Sequence, residues 1–237
     1  AGAPRRWSST WRHLTWAIGA GALPAALFCL GVELSGMRTQ AFQRRTDLDV
    51  LVVLDVSSSM DQPYSHRNTR YDVAIHTAKR LAAQASAYHL GLIGFAANAY
   101  VLSPLTTDYA GFVNVLDRSR PRSIKDGTAI GDALMLGIAH LATGKARRRA
   151  MVIISDGAHN TGAVDPEDAA RLATELRIPI YTITIAASRP SAERNDLMGQ
   201  LSHLSGGLSL RGSELERLHD HMLKGAPIIF QPRGKTV

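Results

Sequence analysis

Five oxygen-bearing side chains stand where the chain can gather them around one point. Asp55 opens the run Asp55-Val56-Ser57-Ser58-Ser59 at the end of an apolar stretch, and Asp156 lies in Ser155-Asp156-Gly157 at the end of another. Between them in sequence, Gly127-Thr128 precedes a helical pattern that begins at Ala129. Two carboxylates and three hydroxyls (Ser57, Ser59, Thr128) form an all-oxygen donor set. Hard divalent cations prefer such donors, and Mg²⁺ takes them octahedrally while keeping several waters. Mn²⁺ or Ca²⁺ can take the same donors. Only two formal negative charges are offered, so the ion stays electrophilic enough to accept a further carboxylate from outside.

These residues need a scaffold, and the hydrophobic pattern supplies one. Asp49 to Val56 is an almost continuous apolar run ending in a carboxylate, as expected of a central parallel strand covered on both faces. Leu90–Phe95, Ala150–Ile154 and Ile178–Ile185 repeat the pattern. Ala97-Asn98 turns the chain into Tyr100–Leu102, which predicts an antiparallel edge strand. Helical spacing marks Arg70–Tyr88, Tyr109–Leu116, Ala129–Ala142 and Glu193–Leu204. Asp165-Pro166 reads as an N-cap and first helical residue, opening a helix to Leu176. A strand around Leu208–Leu210 and a helix from Ser213 to Leu223 close the pattern, Ser213 and Glu216 fitting a capping box. Strands alternating with helices predict the doubly wound α/β class, a mostly parallel sheet with helices on both faces. In such sheets the working site lies beyond the carboxyl ends of the strands, where the winding reverses. Asp55 and Asp156 both stand at strand ends of that kind.

With this context in place, Asp55-x-Ser57-x-Ser59, a separate Thr128 and a strand-terminal Asp156 resemble the metal-ion-dependent adhesion site of von Willebrand factor A and integrin I domains. All five positions match, and the resemblance covers Asp47 to Leu223. Leu105-Thr-Thr-Asp108-Tyr and Asp126-Gly-Thr-Ala-Ile-Gly-Asp132-Ala-Leu look closest to the bacterial membrane-anchored, BatA-like branch. The resemblance implies direct or near-direct ligation by Ser57, Ser59 and Thr128, with Asp55 and Asp156 acting mostly through water. It also implies a partner Asp or Glu completing the shell, and a complex linked to a MoxR-type AAA+ ATPase. That branch typically carries a span after the domain, whereas Gly225 to Val237 has too few apolar residues for one.

Charge is unevenly placed. The formal net charge is +7 over 237 residues, but residues 1–46 hold six arginines against Glu33, leaving a net of only +2 beyond them. The basic balance therefore belongs to the N-terminal segment and suits a membrane surface, not nucleic acid. Leu14 to Val32 runs 19 residues without a charge, the length needed to span a bilayer. Trp7, Trp11 and Trp16 precede or open it, and Glu33-Leu34-Ser35-Gly36 lacks a small-x-small cleavage pattern. The expected organisation is a basic segment 1–13, a transmembrane anchor 14–32, a polar connector 33–46, the A-type domain 47–223 and a tail 224–237. The expected placement is single-pass in the inner membrane, with the domain on the periplasmic side.

Other motifs carry less. Arg147-Arg148-Arg149 reads as a solvated loop before a strand. His219 and His221 read as surface residues, and Met135 and Met151 as core. Asp132 suits either support of the site or an ordinary helix-face charge. The lone Cys29 leaves no disulfide framework, metal knuckle or thiol nucleophile. A phosphotransferase or hydrolase of doubly wound fold is the alternative function. It needs a second acid two residues after Asp55, where Ser57 stands, and neither G-x-x-x-x-G-K-[ST] nor G-x-S-x-G is present. The sequence thus predicts a binding module with no catalytic role.

Overall fold

The computed structural model describes residues 43–85, 88–119, 127–185, 196–211, 214–224 and 228–231. Two units divide the chain, a large one of Arg44–Phe230 and a small one of Ala1–Gln43 with Gln231–Val237. The expected anchor 14–32 lies outside the described residues, and among those described no helix is long and apolar enough to cross a membrane.

The elements run β1 (Gln43–Thr46), β2 (Leu48–Asp55), α1 (Arg70–Gln84), β3 (His89–Phe95), β4 (Ala99–Thr106), α2 (Tyr109–Arg118), α3 (Ile130–Ala142), β5 (Arg148–Ser155), α4 (Pro166–Glu175), β6 (Ile180–Thr184), α5 (Leu197–Ser205), β7 (Ser209–Arg211), α6 (Leu215–Leu223) and β8 (Ile228–Gln231). Six strands form one sheet in the order β4-β3-β2-β5-β6-β7, and only β4 is antiparallel to its neighbour. Strands β3 and β4 lie to one side of β2, and β5, β6 and β7 to the other. The winding therefore reverses between β2 and β5, the strands that lead to the two predicted aspartates.

Strand parity sorts the apolar residues into two cores. Val50, Val52 and Leu54 of β2 join Leu90, Leu92, Val152 and Ile154 beneath α1, α2 and α6. Leu51 and Val53 point the other way, with Ile93, Met151 and Ile153, beneath α3, α4 and α5. A strand buried on both sides has no room for polar side chains along its length. Its only polar positions, Asp49 and Asp55, fall near its two ends. Local chemistry fixes the helix starts. Thr69 and Asp72 form a reciprocal capping box for α1, and Asp165 accepts from Glu167 N with Pro166 at the first position of α4.

Several expectations need correction. Within the expected polar connector 33–46, β1 pairs with β8 from the tail. Arg148 and Arg149 belong to β5, not to a loop. Arg148 Nη2 donates to the carbonyls of Met222 and Lys224 at 2.7 and 3.1 Å, satisfying the end of α6. Only Arg147 remains solvated. His219 and His221 are half-buried: His221 Nδ1 lies 2.9 Å from the Tyr181 hydroxyl, and His219 tilts against the Tyr88 ring. They stand four and three residues after buried Leu215 and Leu218, so they flank the stripe that α6 lays on the sheet. Ser213 lies outside the described residues, and the residue preceding α6 is Glu214, whose carboxylate reaches back to Arg211 N.

Helix α3 enters tightly. A Cβ at Gly131 would overlap the backbone carbonyl of Val164, whereas one at Gly137 would come 2.6 Å from the flexible Met151 sulfur. Backbone cannot yield as a thioether can. Gly131→Ala is expected to cost roughly 1–3 kcal/mol through overpacking, and Gly137→Ala distinctly less. Denaturant midpoints of the two variants test this, and equal losses would show that the α3 entrance is not under steric constraint.

Candidate metal centre

Asp55 is the last residue of β2 and is fully buried. Its Oδ1 accepts from the Ser57 backbone N–H at 2.9 Å, and its Oδ2 accepts from the Ser155 hydroxyl at 2.5 Å. The Ser155 oxygen in turn accepts from Gly157 N at 3.1 Å. One carboxylate thus ties the loop after β2 to the loop after β5. The first loop turns at once into a 3-10 helix, Ser58–Asp61, held down by fully buried Met60. That turn places the Ser57 and Ser59 hydroxyl oxygens 3.0 Å apart.

Thr128 approaches from a third segment. It is buried, and it exchanges bonds with one residue: its N–H donates to Asn160 Oδ1 at 2.9 Å, and its carbonyl accepts from Asn160 N at 3.3 Å. Ala129 N donates to the Ala96 carbonyl, just beyond the end of β3. Helix α3 is preceded by Ala129 and takes no side-chain cap, so the Thr128 hydroxyl is not consumed as one. Asp132 receives the N–H groups of Ala163 and Val164 at 3.0 and 2.9 Å. It therefore braces the loop that carries Asn160.

Asp156 is tied differently. Its Oδ1 accepts from Ala158 N at 3.1 Å, and its Oδ2 pairs with Arg70 Nη1 at 2.6 Å. Arg70 begins α1, and its backbone N–H donates to the Gln62 carbonyl, which fixes it beside the serine loop.

The electrostatics follow from burial. Removal from water pushes the Asp55 carboxyl up from its ordinary 3.8 to about 6. The Ser155 and Ser57 hydrogen bonds oppose this, and the nearby Asp156 charge adds to it. Charge on Asp55 is thus costly until a cation compensates it. The hydroxyl pair is also suitably spaced. Adjacent ligands of an octahedral ion with bonds of about 2.1 Å lie about 3 Å apart, the separation of the Ser57 and Ser59 oxygens. Among the described residues no three His, Cys, Asp or Glu side chains gather as a metal site. The donors here are carboxylate and hydroxyl oxygen.

The five predicted residues all sit at the carboxyl ends of β2 and β5 or on the loop pinned beyond β3. Asp55, Ser57 and Ser59 share one hydrogen-bonded chain with Ser155. Asp156 and Thr128 reach the same end of the sheet through Arg70 and Asn160. Sequence reasoning overlooked Ser155, Arg70 and Asn160. Ser155 could have been suspected from its place beside Asp156, but no local pattern marks partners 86 and 32 residues apart.

A family model described as the von Willebrand factor type A domain matches residues 50–159. A UPF0353 protein of Mycolicibacterium paratuberculosis is 30% identical over 233 residues, spanning 89% of this chain and 68% of its own length. A Borreliella burgdorferi protein is 29% identical over 140 residues, which are 59% of this chain and 41% of that relative. Among solved structures, an aerotolerance-related membrane protein from Bacteroides fragilis superposes with a TM-score of 0.66 at 23% identity, over 75% of this chain and 99% of that one. BatB from Bacteroides thetaiotaomicron gives 0.64 at 22%, over 75% and 100%. Proximal thread matrix protein 1 from the mussel byssus, with a zinc-occupied MIDAS motif, gives 0.59 at 17%, over 76% and 46%. At these identities the structures share the fold.

Burial of Asp55 has a pH signature in divalent-free buffer. Its pKa is higher in the fold than in the unfolded chain, so the fold favours the protonated form. That stabilisation is complete below 3.8 and is lost as pH rises through about 6. The gap between the two values corresponds to roughly 3 kcal/mol. Asp55→Asn keeps an acceptor for Ser57 N and cannot ionise. It should match the wild type near pH 4 and exceed it in stability by up to that amount at pH 7.5 with chelator present. Chemical denaturation across pH measures the difference, and a pH-independent gap would refute the desolvation account.

Proposed function

The chain belongs to the von Willebrand factor type A family, and from that membership we propose that residues 47–223 form a binding module whose Asp55, Ser57, Ser59, Thr128 and Asp156 hold a divalent cation, Mg²⁺ by preference, for capture of an acidic side chain on a protein partner. The observation that carries this reading is the serine pair at octahedral spacing beside a buried carboxylate whose charge needs compensation. When bound, the ion supplies an open coordination position for a carboxylate oxygen. The chain's own residues do the rest. Asp55 locks the two loops in register, Ser57 and Ser59 present oxygens on one edge, and Asn160 holds the Thr128 backbone so that its hydroxyl faces a fixed direction.

Divalent binding by a relative supports the reading: the mussel thread protein carries zinc in its MIDAS motif. Two observations disfavour the phosphotransferase alternative. The position two residues after Asp55, where that chemistry needs a second acid, holds buried Ser57. The Ser57 hydroxyl is bonded to Ser59, not to a base.

The module is proposed to be tethered to the inner membrane by residues 14–32, with the domain on the periplasmic side. The aerotolerance-related relative from Bacteroides is itself described as a membrane protein, which accords with that placement. The partner class that fits the bacterial branch is a complex linked to a MoxR-type AAA+ ATPase, with the metal-bound carboxylate serving its assembly or maturation.

Thr128→Val separates ligation from packing, since it keeps size and β-branching and deletes one oxygen. Saturation of the wild type at 100 times the dissociation constant should add about 2.7 kcal/mol of stability, seen as a rise in Tm with Mg²⁺. The variant should fold with near-native stability in chelator, while Mg²⁺-dependent retention of a carboxylate-bearing partner, captured from detergent extract, falls at least tenfold. Retention that survives the substitution at matched stability and free Mg²⁺ would remove Thr128, and with it the adhesion reading.

A further inference from the structure

Arg70 brings a fixed positive charge to the centre. Its guanidinium donates to Asp156 Oδ2 at 2.6 Å, with the arginine side chain 21% and the aspartate side chain 5% exposed. The arginine is not a loose surface residue that happens to reach the acid. Its N–H donates to the Gln62 carbonyl, Thr69 before it pairs with Pro63, and the Thr69–Asp72 capping box fixes the first turn of α1. Its buried Nε has no hydrogen-bond partner among the described residues. A buried N–H left without an acceptor is an expense that simple structural pairing does not account for.

The charge count shows what this does. Asp55 and Asp156 contribute two negative charges and Arg70 one positive. The centre is therefore net minus one before it takes up a divalent ion and net plus one afterwards. Without Arg70 it would be minus two and then neutral. A cation is drawn more weakly to the first arrangement, and an anion is drawn more strongly to the loaded form of the first than of the second. Exposed Asp61 on the neighbouring loop is solvated and screened, so it changes this balance little.

Resting on the adhesion reading above, we infer that Arg70 couples the two binding events: it weakens metal binding in the absence of an acidic ligand and strengthens capture of a carboxylate once the metal is in place. The residue acts through Asp156 and through the field at the centre, so it is a positioning residue and not a metal ligand. A partner's carboxylate would then tighten the ion, and the ion the carboxylate, by the same factor.

The test uses the full chain in detergent, with Mn²⁺ as the metal probe and acetate as the carboxylate probe. Free Mn²⁺ is read by electron paramagnetic resonance, with and without acetate. Arg70→Gln should bind Mn²⁺ alone on the order of tenfold more tightly, while the tightening of Mn²⁺ by a fixed, non-saturating acetate concentration becomes smaller, because the loaded centre attracts the anion less. Arg70→Lys keeps the charge and should resemble the wild type in both respects. A purely structural arginine predicts the reverse: weaker Mn²⁺ binding in Arg70→Gln, and no rescue by lysine. Either result overturns the inference, as does a glutamine variant with unchanged affinity and coupling. If glutamine lowers the melting midpoint, Arg70→Met preserves the packed stem and carries the same expectation. Wild-type protein showing no Mn²⁺ binding sensitive to Asp55→Asn would overturn the metal reading itself, and this inference with it.

Discussion

The hydrogen bonds of one buried carboxylate organise the functional end of the domain. Asp55 ends the central strand where two cores and two loops meet, and burial removes its charge from bulk solvent. Its two oxygens reach Ser57 on its own loop and Ser155 on the strand across the switch point. Remove that bridge and the loops after β2 and β5 lose their common reference. The serine pair, Asp156 and the Asn160 clamp on Thr128 would then be set independently. The fold thus holds an uncomfortable group in place, and the discomfort is what the proposed cation would relieve.

The sheet makes this possible through simple parity. Because Val50 to Leu54 of β2 are all apolar and buried, the strand cannot shift by one position without exchanging its two core faces. The register Val52↔Leu92 and Val52↔Val152 is fixed from both sides, so the height of Asp55 above the sheet is fixed too. Helices contribute indirectly. Helix α1 delivers Arg70, and α3 delivers Asp132, whose carboxylate receives the N–H groups of Ala163 and Val164.

How much of this was legible depended on whether the relevant interaction is local. The strands, the antiparallel edge and the Asp165-Pro166 start could be read because hydrophobic period and capping chemistry act over a few residues. The placement of the five candidate oxygen donors at one end of the sheet could be read because each follows a strand or precedes a helix. Arg70, Asn160 and Ser155 could not, since their partners come from distant segments and their residue types are ordinary where they stand. His219 and His221 failed for a related reason. Two polar residues on a short helix look solvated until Tyr88 and Tyr181 are brought beneath them. The strand at Gln43–Thr46 was hidden because its partner, Ile228–Gln231, lies at the other end of the chain.

The direction of β2 has a mechanical meaning. The chain joins this strand at Leu48 and reaches the centre at Asp55, seven residues later, about 23 Å along the strand. Traction between residue 48 and anything gripped at the centre therefore runs lengthwise down β2. Strands β3 and β5 flank it in parallel on both sides, so the load is shared by two hydrogen-bonded ladders pulled in shear. Bonds loaded in shear must fail together, whereas bonds peeled from one end fail in succession. If the proposed partner is held at the centre and the proposed anchor tethers the chain before Leu48, the strand that sets the height of the carboxylate also carries the tension between them.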